Sequence, residues 1–89
     1  MVIKTVTLTN QVGLHARPAT FFIQKANEFK SSIWVERGEK KVNAKSLLGV
    51  LSLGIAKGGQ INLLADGEDE VEALAALLRL IESNFGEES

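Results

Sequence analysis

The sequence predicts an α+β domain in which helices cover one face of a mainly antiparallel sheet. The chain has 89 residues, 45% hydrophobic and 24% charged, which is the composition of a globular domain with one core. The period of the apolar residues changes along the chain in the order β-α-β-β-α-β-α. The sequence contains no internal repeat and no linker-like tract, so we interpret residues 1–89 as a single domain.

The first two predicted elements are a strand and an amphipathic helix. Val2, Val6 and Leu8 alternate with threonines, which is typical of a strand with one buried face. Lys4 interrupts that apolar face and indicates that the strand lies near a sheet edge. From Pro18 the apolar period becomes helical and predicts about three turns of helix. The predicted stripe of this helix consists of Ala19, Phe22, Ile23, Ala26 and Phe29.

A hairpin and a short helix are predicted next. Residues 33–36 and 41–44 flank a turn that contains Gly38, which is typical of two hairpin strands. Ser46 precedes the apolar stretch 47–53, and serine is a favoured N-cap. We therefore expect a short helix that is closed by Gly54.

A fourth strand and a third helix complete the predicted order. Ile61, Leu63 and Ala65 alternate along residues 61–65, after a turn at residues 57–59. The last helix is expected to end at Gly86. Its predicted core stripe consists of Val71, Leu74, Ala75, Leu78, Ile81 and Phe85. The acidic residues at its start are Asp66, Glu68, Asp69, Glu70 and Glu72, and we expect them to complement the helix dipole.

Composition and charge exclude several classes of function. Ten basic and eleven acidic residues give a net charge of −1, without the positive surplus of a nucleic-acid binder. The chain has no cysteine and one histidine, so we expect no metal ion and no other cofactor. Residues 1–9 resemble a strand and neither a signal peptide nor a membrane span, so we expect a cytoplasmic protein without membrane insertion. A monomer is the expected state.

The single histidine, His15, is the strongest candidate for chemistry. It lies between the first strand and the first helix, two residues before Arg17. Imidazole has a pKa of about 6.5, which leaves a neutral, nucleophilic fraction at physiological pH. A helix start supplies free amides and a partial positive charge that favour an anion. The grouping indicates transient phosphoryl acceptance on His15, with Arg17 and the amides near Ala16 and Arg17 holding the phosphate oxygens. From residue type alone, a surface histidine without function is the alternative.

Two motifs carry a family resemblance. Residues 13–20 have the sequence GLHARPAT, and residues 45–54 have the sequence KSLLGVLSLG. Together they resemble HPr, the histidine-containing phosphocarrier family of the bacterial phosphoenolpyruvate:sugar phosphotransferase system, over essentially the whole chain. The resemblance implies an open-faced β-sandwich, in which three helices cover one face of a four-stranded antiparallel sheet.

The same resemblance implies a function for the first motif. His15 would take a phosphoryl group on Nδ1 from phosphorylated Enzyme I and pass it to the sugar-specific IIA domains, with Arg17 beside it. The protein would be a carrier that catalyses nothing alone. Ala16 and Thr20 would belong to the binding surface around the histidine.

For the second motif, the resemblance implies a regulatory Ser46. In low-GC Gram-positive bacteria HPr kinase/phosphorylase phosphorylates this serine, which weakens exchange with Enzyme I and promotes binding to catabolite control protein A in carbon catabolite repression. Leu47, Leu48 and Leu51 fall where Gram-positive members commonly carry isoleucine and methionine, and these changes conserve volume. The leucines are either core or a docking patch, and a short helix cannot bury all of them together with Leu53.

Two other functions are alternatives. The first is a regulatory paralogue that acts mainly through phosphorylated Ser46 and lacks the histidine, and the presence of His15 argues against it. The second is a ferredoxin-like module that binds RNA or a small ligand. That module needs exposed aromatic residues on its sheet, whereas Phe22 and Phe29 are assigned to the first helix.

Overall fold

The computed structural model describes residues 1–8, 16–55 and 58–83, with side chains in the first helix described from residue 18 onward. The elements follow the predicted order. They are β1 (Val2–Thr7), α1 (Ala16–Ala26), β2 (Ser32–Arg37), β3 (Lys40–Asn43), α2 (Leu47–Ser52), β4 (Gln60–Asp66) and α3 (Glu70–Glu82). The main difference in bounds is at α1, which begins at Ala16 and ends before Phe29.

The four strands form one antiparallel sheet in the order β1-β4-β2-β3. The last strand therefore lies between the first and the second, with Val6 paired to Ile61 and Val35 paired to Leu63. β1 is an edge strand, as Lys4 indicated. An exposed lysine on an edge strand discourages pairing with another chain.

The three helices cover one face of this sheet and enclose the core. Fully or almost fully buried side chains of the sheet are Ile33, Val35, Ile61, Leu63 and Ala65. The helices add Ala19, Phe22, Ala26, Val50, Ala73, Leu74, Leu77 and Ile81. Because α1 contacts both α2 and α3, the helices form a layer whose outer surface is available for function. This confirms the open-faced sandwich with three helices on one face.

The buried stripe of α3 differs from the predicted one. Val71 is 63% exposed, and Ala75 and Leu78 are half-buried. The residues that α3 buries fully are Ala73, Leu74, Leu77 and Ile81. Apolar residues occupy most of the circumference of α3, so helical period alone permits two stripes, and packing against β1 and β4 selects one. Phe85 and Gly86 lie outside the described residues.

The aromatic residues also differ in part from the sequence interpretation. Phe29 follows the end of α1 and packs partly buried against the core, so its assignment to the helix was wrong. Trp34 lies half-buried on β2, opposite Leu64 of β4, with the Lys41 ammonium 4.9 Å from its ring centroid. A single aromatic residue beneath a lysine does not form the stacking platform of an RNA-binding sheet.

Candidate functional site

The helix start that the histidine interpretation requires is present. α1 begins at Ala16, the residue that directly follows His15. His15 lies outside the described residues, as do the side chains of Ala16 and Arg17. Pro18 is buried within the first turn, where the N–H that proline lacks would have no acceptor within the helix. The first-turn amides of α1 therefore directly follow the only histidine of the chain in sequence.

The exposed side of α1 carries a residue that sequence reasoning missed. Ala19 and Phe22 are fully buried, whereas Thr20 is exposed and Phe21 is 38% exposed. Two consecutive phenylalanines cannot both face the core of a helix layer, because neighbouring residues point about 100° apart. The pair at 21 and 22 was therefore the signal that one aromatic ring faces outward.

Ser46 is the N-cap of α2, as predicted. Its backbone is extended, with φ −109° and ψ 118°, and its Oγ accepts a hydrogen bond from the Gly49 N–H at 3.1 Å. Gly49 suits this geometry because a Cβ there would lie 3.3 Å from the Ser46 hydroxyl oxygen and 3.4 Å from Val42. The serine is half-buried, so its hydroxyl is held at the helix start and still borders solvent.

The leucines of α2 divide between core and surface. Leu48 is 81% exposed and Leu47 is 41% exposed, whereas Leu53 is buried and Leu51 packs half-buried against the core. Of the three leucines predicted to bind, two therefore face solvent. Phe21, Leu47 and Leu48 lie on two helices that contact one another, and we call these three side chains the docking surface.

Hydrogen bonds from loop residues hold the helices that carry the docking surface. The Lys45 ammonium donates to the carbonyl of Phe29 at 2.7 Å, next to the C-terminal end of α1. The backbone N–H of Lys45 donates to the Asn43 side chain at 2.8 Å. The segment that leads into Ser46 is thus tied to the segment that leaves α1.

Among the described groups, the carboxyl of Asp69 has the most strongly shifted pKa. The hydroxyl of Ser31 and the backbone N–H of Lys30 donate to its carboxylate and lower its pKa to about 2. Asp69 is the N-cap residue of α3, but its side chain makes no capping hydrogen bond, because its carboxylate accepts from Ser31 and Lys30 instead. Glu70 has a lowered pKa, mainly because the Gly67 N–H donates to it.

The described part of the chain contains no group of three or more His, Cys, Asp or Glu side chains that would ligate a metal ion. Nor does any helix in residues 16–55 or 58–83 have the length and apolarity to cross a membrane.

An open-faced sandwich in which one helix starts directly after a histidine in the sequence, and a serine caps the next helix, is the architecture of a histidine phosphocarrier. A family model described as the HPr component phosphorylation site of the phosphotransferase system matches residues 2–83. The chain belongs to the HPr family, whose members are phosphocarrier proteins rather than catalytic enzymes.

Named relatives agree with this assignment. The HPr-like protein Crh of Halalkalibacterium halodurans is 50% identical over 92% of this chain and 98% of its own. The phosphocarrier protein HPr of Neisseria meningitidis serogroup A is 45% identical over 98% of each chain. A crystal structure of HPr from Thermoanaerobacter tengcongensis matches with a TM-score of 0.96 and 54% identity over the whole of both chains. The same relative has also been solved as an HPr dimer, with a TM-score of 0.79 and 54% identity over 98% of this chain and 100% of that one.

Proposed function

We propose that this chain accepts a phosphoryl group on His15 from phosphorylated Enzyme I and passes it to sugar-specific IIA domains. The observation that supports this most is the start of α1 at Ala16, because the first-turn amides then directly follow the only histidine of the chain in sequence. A carrier must be charged and discharged by larger partners, so the site that it uses has to be accessible to them.

The chemistry needs little covalent work from this chain. A lone pair of neutral imidazole attacks phosphorus, so the bond between phosphorus and Enzyme I breaks as the N–P bond to His15 forms. Arg17 and the amides at the start of α1 hold the phosphate oxygens, because phosphoryl transfer depends mainly on positioning and charge stabilisation. In the return step a nucleophile of the IIA domain forms a bond to phosphorus as the N–P bond breaks, and the ring, protonated on its other nitrogen, leaves as neutral imidazole.

The docking surface supplies the contact with both partners. Exposed leucine and phenylalanine side chains on neighbouring helices are typical of a partner site, since such residues lose water on binding. Ala16 and Thr20 belong to α1 and lie in sequence between His15 and Phe21 of this surface. Leu51 supports this surface indirectly, because it is partly buried and packs against the core.

Regulation through Ser46 is the second candidate function. Its hydroxyl already lies on an N-terminal amide of α2, where a phosphate is tolerated by the helix and adds about two negative charges beside Leu47. HPr kinase/phosphorylase would add this phosphate, and catabolite control protein A would bind the product. The similarity to Crh of Bacillus subtilis, which is described as a catabolite repression HPr, favours including this role. His15 favours the carrier role as the primary one.

A two-step transfer assay tests the carrier role. The chain is incubated with Enzyme I and labelled phosphoenolpyruvate, separated, and then mixed with an unlabelled IIA domain. We expect one phosphoryl group per chain, and its passage to the IIA domain on mixing. Label that is never passed on would contradict the carrier role, and label acquired only from the serine kinase would leave the regulatory role alone. Sedimentation of the same preparation tests the expected monomer against a dimer.

A further inference from the structure

The β2–β3 hairpin reaches the C-terminal end of α2 with two basic side chains. Nη1 of Arg37 donates to the carbonyl oxygen of Leu53 at 2.7 Å, and Nζ of Lys40 donates to the carbonyl oxygen of Ser52 at 3.1 Å. The last carbonyl oxygens of a helix have no N–H donor within the helix. The hairpin therefore satisfies the end of α2 with charged donors, which form stronger hydrogen bonds than neutral ones.

The position of Arg37 in its strand explains how it reaches α2. Ile33 and Val35 face the helix layer from β2, and Arg37 follows them at the same two-residue spacing. The charged side chain of Arg37 therefore lies at the end of β2, on the side of the strand that faces the core. The carbonyl of the buried C-cap residue Leu53 gives that guanidinium its partner, and the contact is partly buried, unlike that of Lys40.

α2 depends on contacts at its two ends. It has six residues, too few to be stable by itself, and Val50 is its only fully buried residue. Ser46 fixes its start and Arg37 fixes its end. Between these two points lie the exposed leucines of the docking surface.

We infer that Arg37 is a positioning residue for the docking surface, holding the end of α2 so that Leu47 and Leu48 meet protein partners in one orientation. This inference rests on the proposed carrier function. A partner that binds only molecules in which the end of α2 is held in place has a reduced apparent affinity, because the apparent Kd is the intrinsic Kd divided by the fraction of such molecules. Loss of the guanidinium should therefore raise KM for Enzyme I and leave kcat unchanged.

The kinetic test compares Arg37→Met and Arg37→Lys with Lys41→Met. Lys41 is a matched control because it lies in the same hairpin and loses the same charge, while its ammonium lies over Trp34 away from α2. We expect Arg37→Met to raise KM for Enzyme I by about threefold at constant kcat. Arg37→Lys should recover part of the loss, and Lys41→Met should match the wild type.

Amide hydrogen exchange tests the placement of α2 without any partner. The N–H of Val50 is bonded to the carbonyl of Ser46, and that of Gly54 to the carbonyl of Leu51. In Arg37→Met we expect both amides to exchange about tenfold faster, which corresponds to about 1.4 kcal/mol, with no change in β4.

The two measurements separate the possible failures. A raised KM with unchanged α2 exchange would mean that Arg37 touches Enzyme I directly, and it would overturn the positioning role. Unchanged KM and exchange would overturn it as well. If Enzyme I fails to charge the wild type, the proposed function falls, and the exchange rates alone decide whether Arg37 holds α2.

Discussion

The carboxylate of Asp69 accepts hydrogen bonds from both the backbone N–H and the hydroxyl of Ser31. Its second oxygen accepts from the backbone N–H of Lys30 at 2.9 Å. Ser31 is 1% exposed, so its hydroxyl depends on this carboxylate for a partner. The contact joins the segment after α1 to the start of α3, and so fixes two of the three helices relative to each other.

This contact predicts how stability depends on acid. The pKa of Asp69 is lowered from 3.8 to about 2, so the folded state favours the ionised carboxylate. Its contribution is complete above about pH 4 and is lost as pH falls toward about 2. Asp69→Asn should lower Tm at neutral pH. Between about pH 4 and about pH 2, the Tm of this variant should fall less steeply than that of the wild type. Melting curves across this range check it, with Glu72→Gln as a first-turn control in α3. Equal pH profiles for the two variants would contradict the assigned role.

Truncation of two apolar residues of α2, Leu48 and Val50, should have different effects: the first should weaken partner binding and the second should lower stability. Leu48 is 81% exposed, so Leu48→Ala should change stability by less than about 0.5 kcal/mol and raise KM for Enzyme I by about tenfold. Val50 is fully buried, so Val50→Ala should cost about 2 kcal/mol and lower Tm by roughly 10 °C. Transfer kinetics and melting curves on both variants check this. A Leu48→Ala protein with normal KM would remove Leu48 from the docking surface.

Aspartate substitutions at the two ends of α2 should separate regulation from capping. Ser46→Asp keeps an acceptor for the Gly49 N–H and places negative charge at the helix start, so Tm should stay equal or rise slightly. KM for Enzyme I should rise by about tenfold and recover partly at high salt. Ser52→Asp places the same charge at the helix end and should lower Tm. Normal kinetics with a lowered Tm in Ser46→Asp would make this serine a structural cap only.

Reversing the charge at Arg17 should slow transfer. Arg17→Glu replaces a donor fork beside the phosphate with a repelling carboxylate, so both the rate and the affinity for Enzyme I should fall. Tm should change by less than about 2 °C. Arg79→Glu, an exposed position on α3, is the control for net charge. If both variants transfer at the wild-type rate, Arg17 has no part in holding the phosphate.

The fold was predictable because its local signals agree. The alternation along β1, the change of period at Pro18 and the serine before α2 each have one structural interpretation, and all three are confirmed. The open-faced arrangement came from the resemblance carried by the two family motifs. The strand order β1-β4-β2-β3 was not predicted, because element order alone does not fix which strands pair.

What the sequence missed depends on tertiary contacts. Val71 was placed in the core of α3 because several apolar stripes fit its composition, and only packing against the sheet distinguishes them. The hydrogen bonds that Asp69 accepts were missed because their donors lie 38 and 39 residues away in the chain. Arg37 and Leu53 meet for the same reason, through the hairpin and not through a local motif. Such pairs carry no short-range signal.

The most direct test of the central claim is the chemical stability of the bound phosphate. A phosphoryl group on imidazole nitrogen is lost in acid and survives base, whereas a serine ester survives acid. The wild type and His15→Ala are charged with Enzyme I and labelled phosphoenolpyruvate and then split between acid and base, with circular dichroism confirming that the variant is folded. We expect acid-labile, base-stable label on the wild type and none on His15→Ala. Acid-labile, base-stable label on the variant would contradict it.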